Sequence, residues 1–221
     1  MALFRPIVKY YLTIRRSWVN RRLVTRLSSR SAPTLLQVAP FASAADYARM
    51  VEYFLSADEA FLRAMGVDPD KLPERRAWLE RLLPDLTRPD EQKQTFYLGW
   101  DCEGDRVGHC NVNRLLYGDH AYVHLHLWGA GARRAGLGTE FLRRSIPVFF
   151  QRFALQHLYC EPYAGNPAPN RVLSKAGFRF LGRYRTTPGL INFEQEVNRY
   201  VIDRPALGEP GAFPAARVVT P

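Results

Sequence analysis

Polar side chains that can transfer protons recur at every second position in two neighbouring segments. His109, Asn111 and Asn113 alternate with apolar residues in the first segment, and His124 and His126 do so in the second. Alternation with a period of two places such residues on one face of a β-strand. The sequence therefore predicts a patch of imidazoles and carboxamides on one side of a sheet.

This patch has three possible interpretations: a catalytic face, a metal site, and a solvated or cross-strand packing face. An imidazole that titrates near neutral pH is a suitable general base. No Asp, Glu or Cys completes a ligand set at the usual spacing, so no metal is predicted. If the turn centres on Gly118 and Asp119, we expect Asn113 opposite His124 and Asn111 opposite His126.

The second segment runs directly into a glycine-containing loop and then into a helical pattern. The loop reads Arg133-x-x-Gly136-x-Gly138. Glycines let the backbone approach a bulky anion, and free N–H groups at a helix start point towards it. The neighbouring arginines add positive charge that suits phosphate. The pattern favours a pyrophosphate-binding turn, with a plain tight turn as the alternative, and matches neither the P-loop nor the dinucleotide fingerprint.

A third segment narrows these interpretations. Residues 166–178 read Asn166-x-x-x-Asn170-Arg171-Val172-Leu173-x-Lys175-Ala176-Gly177-Phe178. Together with the glycine loop, this segment resembles the GNAT superfamily of acyl-CoA-dependent N-acetyltransferases. The resemblance covers roughly residues 34–200, and two motifs in the right order are far more specific than either alone.

The resemblance implies an α/β fold with a mixed sheet. The central sheet would be mostly antiparallel and twisted, flanked by helices, and splayed between its fourth and fifth strands. Acetyl-CoA would bind in that gap as co-substrate, with no metal. The residues implied to bind it are Leu127, Trp128, Arg133, Arg134, Ala135, Gly136, Leu137, Gly138, Thr139 and Asn166.

The resemblance also implies direct transfer of an acyl group from a thioester to an amine. We expect His126 as the first candidate for the base, His124 as the second and Glu161 as the third. Asn111 and Asn113 are expected to contact the acceptor, and backbone amides near Trp128 to polarise the carbonyl.

The chain departs from the family pattern at one position. Many members carry a Tyr seven residues after the asparagine, which protonates the departing thiolate, and here that position is Leu173. Tyr159 and Tyr163 are the tyrosines close by in sequence.

The favoured function is an acetyl-CoA-dependent N-acetyltransferase that acts on the amine of a small molecule. One alternative is a protein N-terminal or lysine acetyltransferase. Another, from a different class, is a non-catalytic module that binds acyl-CoA. A homodimer is compatible with any of these.

The distribution of charge argues against a nucleic-acid partner. The formal net charge of the 221 residues is +10, but residues 1–45 hold eight basic and no acidic residues. The remainder is nearly balanced, with 23 basic and 21 acidic residues. A general phosphate-backbone surface is therefore not indicated for the folded part.

Residues 1–33 form a basic leader, with three interpretations: a loosely docked extension, an amphipathic surface helix or an organelle-targeting peptide. Residues 34–200 are expected to form the acyltransferase domain, and residues 201–221 a tail rich in Pro and Ala. Three cysteines without a Cys-x-x-Cys pair suit a reducing compartment, so we expect a cytoplasmic protein, with organelle targeting as the alternative. No apolar run is long enough to predict a membrane span.

The elements that must position these residues can be read from periodicity and turn residues. Apolar spacing predicts one helix over Ser43 to Arg63, begun by Ser43, and a second over Pro73 to Leu83. Helices are also predicted at Gly136 to Phe153 and Pro169 to Ala176. Strands are predicted at Thr34 to Phe41, Thr95 to Trp100, Arg106 to Leu116, Ala121 to Trp128, Leu155 to Glu161, Phe178 to Thr186 and Leu190 to Tyr200.

Overall fold

The computed structural model of the chain describes residues 34–129 and 136–204. The leader, the tail beyond Arg204 and the loop 130–135 lie outside these described residues. Seven strands form within the described ranges: β1 Leu36–Pro40, β2 Phe96–Cys102, β3 Asp105–Leu116, β4 His120–Leu127, β5 His157–Cys160, β6 Arg179–Thr186 and β7 Gln195–Asp203.

Six α-helices accompany the strands in the same ranges. They are α1 Ala44–Leu55, α2 Glu59–Ala64, α3 Arg75–Leu82, α4 Pro84–Thr87, α5 Leu137–Arg152 and α6 Pro167–Ala176. Two short 3-10 turns, Pro69–Lys71 and Asp90–Gln92, follow α2 and α4. No helix in the described ranges is long and apolar enough to cross a membrane.

The strands form one mixed sheet in the order β1-β2-β3-β4-β5-β7-β6. Only the pairing of β4 with β5 is parallel, and the other neighbours pair antiparallel. The predicted mixed, mostly antiparallel sheet flanked by helices is therefore confirmed.

The sheet splays between its fourth and fifth strands, as predicted. In the described residues, β4 and β5 pair only at His120–Tyr122 with His157–Tyr159. Beyond this point β4 stays with β3, whereas the chain after β5 stays with β7 through the backbone bond from Asn198 N–H to the Pro162 carbonyl at 3.1 Å. A gap thus opens along the second half of β4.

The predicted register of the β3–β4 hairpin is wrong by two residues. Asn111 lies opposite His124, and His109 lies opposite His126. Half of the difference arises at the turn, where Leu116 pairs with His120, and half arises from a bulge between Asn113 and Leu116. Because the total slip is two residues, the polar side chains still share one face, as the alternation predicted.

The segment predicted as one helix over Ser43 to Arg63 forms two helices, so that prediction is wrong. Ser43 does precede α1 as its N-cap residue, as predicted. After α1, the carboxylate of Asp58 accepts a hydrogen bond from the backbone N–H of Phe61 at 2.8 Å. The contact gives a hydrogen-bond partner to a backbone N–H that has none within the helix, as an N-cap does. A new helix, α2, therefore begins after Asp58, and α1 does not continue.

The two faces of the sheet are covered by different helices. On one face α5 packs on the central strands, where Trp100 stacks on Phe141 and donates its indole N–H to Ser145 Oγ at 2.9 Å. On the other face, buried residues of α1 and α3 pack around Tyr97 of β2. His109 of β3 and His126 of β4 face this second layer, where Phe54 of α1 contacts both rings.

Candidate active site

A cleft of about 920 Å³ runs across the splayed part of the sheet. Its walls come from the helices α1 to α3, the polar face of β3 and β4, the starts of α5 and α6, and the loop between β6 and β7. It therefore joins the gap between β4 and β5 to the histidine patch. The predicted site residues in the described ranges that line it are Asn111, Asn113, His124, His126, Leu127, Gly136, Gly138, Thr139, Glu161 and Asn166.

His126 lies in a cage of rings. Its imidazole stacks on that of His109, with centroids 4.8 Å apart and an interplanar angle of 15°. Phe54 and Tyr53 present ring edges at centroid distances of 5.1 Å and 5.8 Å. The sequence placed His109 on the polar face, but it did not indicate that α1 supplies the other two rings.

The neighbouring His109 is held in one neutral form. The indole N–H of Trp128 donates to Nδ1 of His109 at 2.9 Å. An indole N–H is only a donor, so Nδ1 must be unprotonated, and the neutral ring must carry its proton on Nε2. Burial, reinforced by the nearby imidazoles of His126 and His124, also holds the pKa of His109 well below its ordinary value.

His124 lines the cleft and carries a buried ring nitrogen. Its Nε2 has no hydrogen-bond partner within the described ranges, and the same holds for Oδ1 of Asn113. Burial, with a smaller contribution from the Arg114 guanidinium, lowers the pKa of His124 to about 4. The ring is therefore neutral at physiological pH, with one nitrogen that can accept a hydrogen bond and one that can donate.

Glu161 is buried but already engaged. The phenol of Tyr184 donates to its Oε1, and the guanidinium nitrogens of Arg114 and Arg199 lie 3.7 Å and 3.5 Å from its carboxylate oxygens. Burial and this hydrogen bond to Glu161 raise the pKa of Tyr184 to about 12. Glu161 thus lines the cleft as the centre of a network of hydrogen bonds and ion pairs, whose partners its sequence context did not reveal.

Arg114 connects this network to another wall of the cleft. The residue has φ of 45°, an unusual value for a side chain larger than glycine, and it lies in the β3 bulge. Its Nη2 donates to the Pro188 carbonyl at 2.7 Å, in the loop between β6 and β7. The bulge therefore aims a cation at the cleft, whereas the sequence had suggested only a regular strand.

The start of α5 forms the other end of the cleft. Gly136 is its N-cap residue, and its φ of 75° is a conformation that favours glycine. Gly138 is buried, and a Cβ at that position would lie 3.5 Å from Leu127 and 3.6 Å from Val172. The remaining residues of the predicted loop, Arg133, Arg134 and Ala135, lie outside the described residues.

Leu127 and Trp128 have different surroundings. Leu127 lines the cleft next to the α5 start. The Trp128 indole stacks on Tyr53 of α1 with centroids 6.0 Å apart. The backbone N–H of Trp128 donates to the Val107 carbonyl at 2.9 Å, so this particular amide is not available to polarise a bound carbonyl.

Asn166 lines the cleft where α6 begins. Its side-chain oxygen accepts a hydrogen bond from the backbone N–H of Ala168 at 3.2 Å, so it caps the helix. Leu173, at the position of the family's tyrosine, is fully buried in the core beneath α6. Of the two nearby tyrosines, Tyr163 lines the cleft, whereas Tyr159 lies outside it against Tyr122 and Arg199.

Across residues 34–129 and 136–204, no group of three or more His, Cys, Asp or Glu side chains is placed to hold a metal ion. The side chains of the described site suit proton transfer at imidazoles, beside a helix start of the kind that suits an anion.

Comparison with known proteins agrees with this geometry. The model of the acetyltransferase (GNAT) domain family matches residues 36–179. None of the curated proteins matches the chain at a significant level.

Solved structures share the fold at low sequence identity. A ribosomal protein L7/L12 α-N-acetyltransferase, RimL, in complex with coenzyme A aligns with a TM-score of 0.62 and 14% identity, over 76% of this chain and 93% of its own. The ribosomal-protein-S5-alanine acetyltransferase from Vibrio fischeri gives 0.61 and 16%, over 78% and 97%. The aminoglycoside acetyltransferase AAC(6')-Ib in complex with coenzyme A and kanamycin gives 0.60 and 15%, over 77% and 95%.

Proposed function

Because the chain belongs to the family of GNAT acetyltransferase domains, we propose that it transfers the acetyl group of acetyl-CoA directly to the nitrogen of an amine. The observation that carries this proposal is the shared cleft. The gap beside β4, the glycine-capped start of α5 and two cleft-lining histidines of β4 open into the same cavity. Direct transfer needs a thioester and an amine held side by side, and one continuous cleft provides for both.

The start of α5 supports binding of the pyrophosphate of acetyl-CoA. Gly136, Leu137 and Gly138 would offer backbone N–H groups to the phosphates, and Arg133 and Arg134 would add positive charge. The N–H of Thr139 donates to the Gly136 carbonyl at 3.1 Å, so Thr139 would contribute through its side chain. The pantetheine arm would follow the gap beside Leu127. Asn166, which caps α6 at the cleft, would meet the arm from the opposite side.

In the reaction, the amine nitrogen attacks the thioester carbonyl carbon, and the C–S bond breaks as the thiolate of coenzyme A leaves. A base must take the proton that the amine loses. We assign this role to His126, which faces the cleft in its cage of rings. His124 is the second candidate, and burial, which lowers its pKa to about 4, makes it the weaker base. Glu161 is less suited, because its carboxylate is engaged by a phenol and two guanidinium groups.

Departure of the thiolate proceeds without the family's tyrosine. Leu173 is buried in the core and has no proton to give. The thiolate of coenzyme A is a fair leaving group at neutral pH, so solvent can supply the proton after the C–S bond has broken. The substitution lends some support to the alternative of an acyl-CoA-binding module without turnover.

The acceptor is more narrowly proposed to be a small-molecule amine, with Asn111 and Asn113 as contacts. Amines of proteins are the alternative, since structures of similar fold include acetyltransferases of ribosomal proteins as well as of aminoglycosides.

Calorimetric titration of the chain with acetyl-CoA tests the proposal first. We expect micromolar binding that is lost in Gly136→Glu and retained in Gly104→Glu. The control glycine has a similar φ of 87° and open space around it, but it lies in the β2–β3 turn. Equal binding by both variants would remove the pyrophosphate assignment, and no binding by the intact chain would remove the proposed function.

Release of thiol in the presence of amines then separates an enzyme from a binding module. Turnover with any amine supports the enzyme. Tight binding of acetyl-CoA without turnover of any amine supports the module.

A further inference from the structure

Apolar side chains line the cleft from two directions. Phe61 and Met65 approach from α2 and the residue that follows it, and Tyr53 approaches from α1. Leu190 and Ile191 approach from the loop between β6 and β7. If phosphates occupy the start of α5, these apolar walls, which reach His126 through Tyr53, are the surface left for the acceptor.

The hydroxyl group of Tyr53 in this wall is directed at Met65, an apolar neighbour. The phenol of Tyr53 donates to the thioether sulfur of Met65 at 3.3 Å. A thioether is a weak acceptor, so this contact does not make the wall polar. The wall therefore offers ring faces, ring edges and methylene groups to whatever binds there.

Charge in the cleft is scarce, and none of it favours a polycation. Among the described residues that line the cleft, the ionised side chains are Arg81, Arg114 and Glu161. The carboxylate of Glu161 already faces the guanidinium groups of Arg114 and Arg199. A ligand with several ammonium groups would lose hydration there without finding an uncommitted carboxylate.

An exposed leucine lies at the cleft. Leu190 is 59% exposed, and a ligand that covered it would remove apolar surface from water. Leu181 on β6 is exposed to a similar extent, at 45%, but it does not line the cleft. The two leucines provide a matched pair for an experiment.

We propose that the acceptor is a monoamine with an apolar, ring-bearing body, and that polycationic amines are poor acceptors. The proposal rests on the proposed acetyl transfer and specifies its substrate class. The ring packs between the α1–α2 wall and Leu190, and the single amine reaches the polar face of β4. The aromatic rings of the wall also attract a single ammonium group through cation–π interactions as the ligand enters the cleft.

The test compares thiol release from acetyl-CoA with 2-phenylethylamine, spermidine and kanamycin. We expect kcat/KM for 2-phenylethylamine to exceed that of either polycation by at least about tenfold, the scale set by a few apolar contacts. A preference for spermidine or kanamycin would overturn the substrate class. So would turnover only of peptide N-termini, or binding of acetyl-CoA with turnover of none of these amines.

A pair of variants tests the location of the acceptor. Leu190→Ser should raise KM for 2-phenylethylamine about tenfold, and Leu181→Ser should leave it unchanged. KM for acetyl-CoA should not change in either variant. Equal effects of the two substitutions would overturn the placement of the ring against Leu190.

Failure of this inference and failure of the proposed function give different results. If the intact chain does not bind acetyl-CoA in the calorimeter, both fail. If it binds acetyl-CoA and acetylates polycations in preference, only the substrate class is wrong.

Discussion

Trp128 fixes the tautomer of His109 through a single hydrogen bond of 2.9 Å from its indole nitrogen to Nδ1. His109 lies on the polar face of β3, Trp128 directly follows β4, and His109 stacks directly on His126. The candidate base therefore rests on a ring that is neutral and fixed in orientation.

Replacing the Trp128 indole should lower the stability of the protein. In Trp128→Phe the buried Nδ1 of His109 loses its donor, and we expect the free energy of unfolding to fall by about 1–3 kcal/mol. Urea denaturation measures the change, and ¹⁵N chemical shifts of the imidazole report the loss of a single tautomer.

Trp78→Phe is a suitable control for lost volume. Its indole donates to no acceptor in the described part of the chain, although it packs on Phe54. If His109 keeps one tautomer in Trp128→Phe, the indole is not what fixes it.

The base assignment predicts a large and selective loss of turnover. His126→Ala should lower kcat by about 10²- to 10⁴-fold, the usual contribution of general base catalysis, and should leave the affinity for acetyl-CoA unchanged. The acid limb of the pH–rate profile should change with it.

His157→Ala provides the matched control, because His157 lies outside the cleft and pairs with Asp203 at 2.8 Å. Its kcat should stay at the value of the unaltered protein. Full activity of His126→Ala would pass the role to His124, and a loss shared equally by the control would point to a general loss of folding.

Stability should depend on pH through the buried histidines. The pKa of His124 is about 4 when folded and 6.5 ordinarily, so between these values the unfolded state binds more protons. Stability should therefore fall as the pH drops from 6.5 towards 4, by up to about 1.4 kcal/mol per pH unit for this group. The lowered pKa of His109 acts in the same direction.

Urea denaturation at pH 7, 6 and 5 measures this slope. His124→Asn should make it shallower, because one titrating group is removed. An identical slope in the variant and the unaltered protein would contradict the buried, neutral state of His124.

Glu161 should prove more important to stability than to chemistry. In Glu161→Gln, the guanidinium groups of Arg114 and Arg199 lose their carboxylate, and we expect a loss of about 1–3 kcal/mol in unfolding free energy. Turnover should fall far less than in His126→Ala. Tyr184→Phe, which removes a donor to the same carboxylate, should destabilise in the same direction.

The two measurements together decide the role of this carboxylate. If kcat of Glu161→Gln falls as far as in His126→Ala while the unfolding free energy is unchanged, Glu161 is the base.

Local periodicity was sufficient to predict the polar face but not its pairing. Alternation along β3 and β4 correctly put the histidines and asparagines on one side. The register depended on a bulge at Arg114, a residue whose φ of 45° has no signal in the sequence, because such a residue usually continues the strand.

Features that depend on distant segments could not be read from the sequence. Tyr53 and Phe54 have the spacing of ordinary helix core residues, so nothing marked them as the rings around His126. Likewise Tyr184 and Arg199 come from β6 and β7, and only the folded sheet brings them to Glu161. The turn at Gly136 could be predicted, because a backbone with positive φ favours glycine, so a glycine there indicates such a turn directly.

The three residue pairs that join β4 to β5 have a mechanical consequence. Strands β1 to β4 form one leaf and strands β5 to β7 form another, and the two leaves share a seam far shorter than the β3–β4 pairing. Bending of the sheet is therefore concentrated at that seam. The proposed pantetheine arm, lying along the unpaired edge of β4, would contact both leaves at once and resist that bending. The stiffness of the sheet would then depend on whether acetyl-CoA is bound.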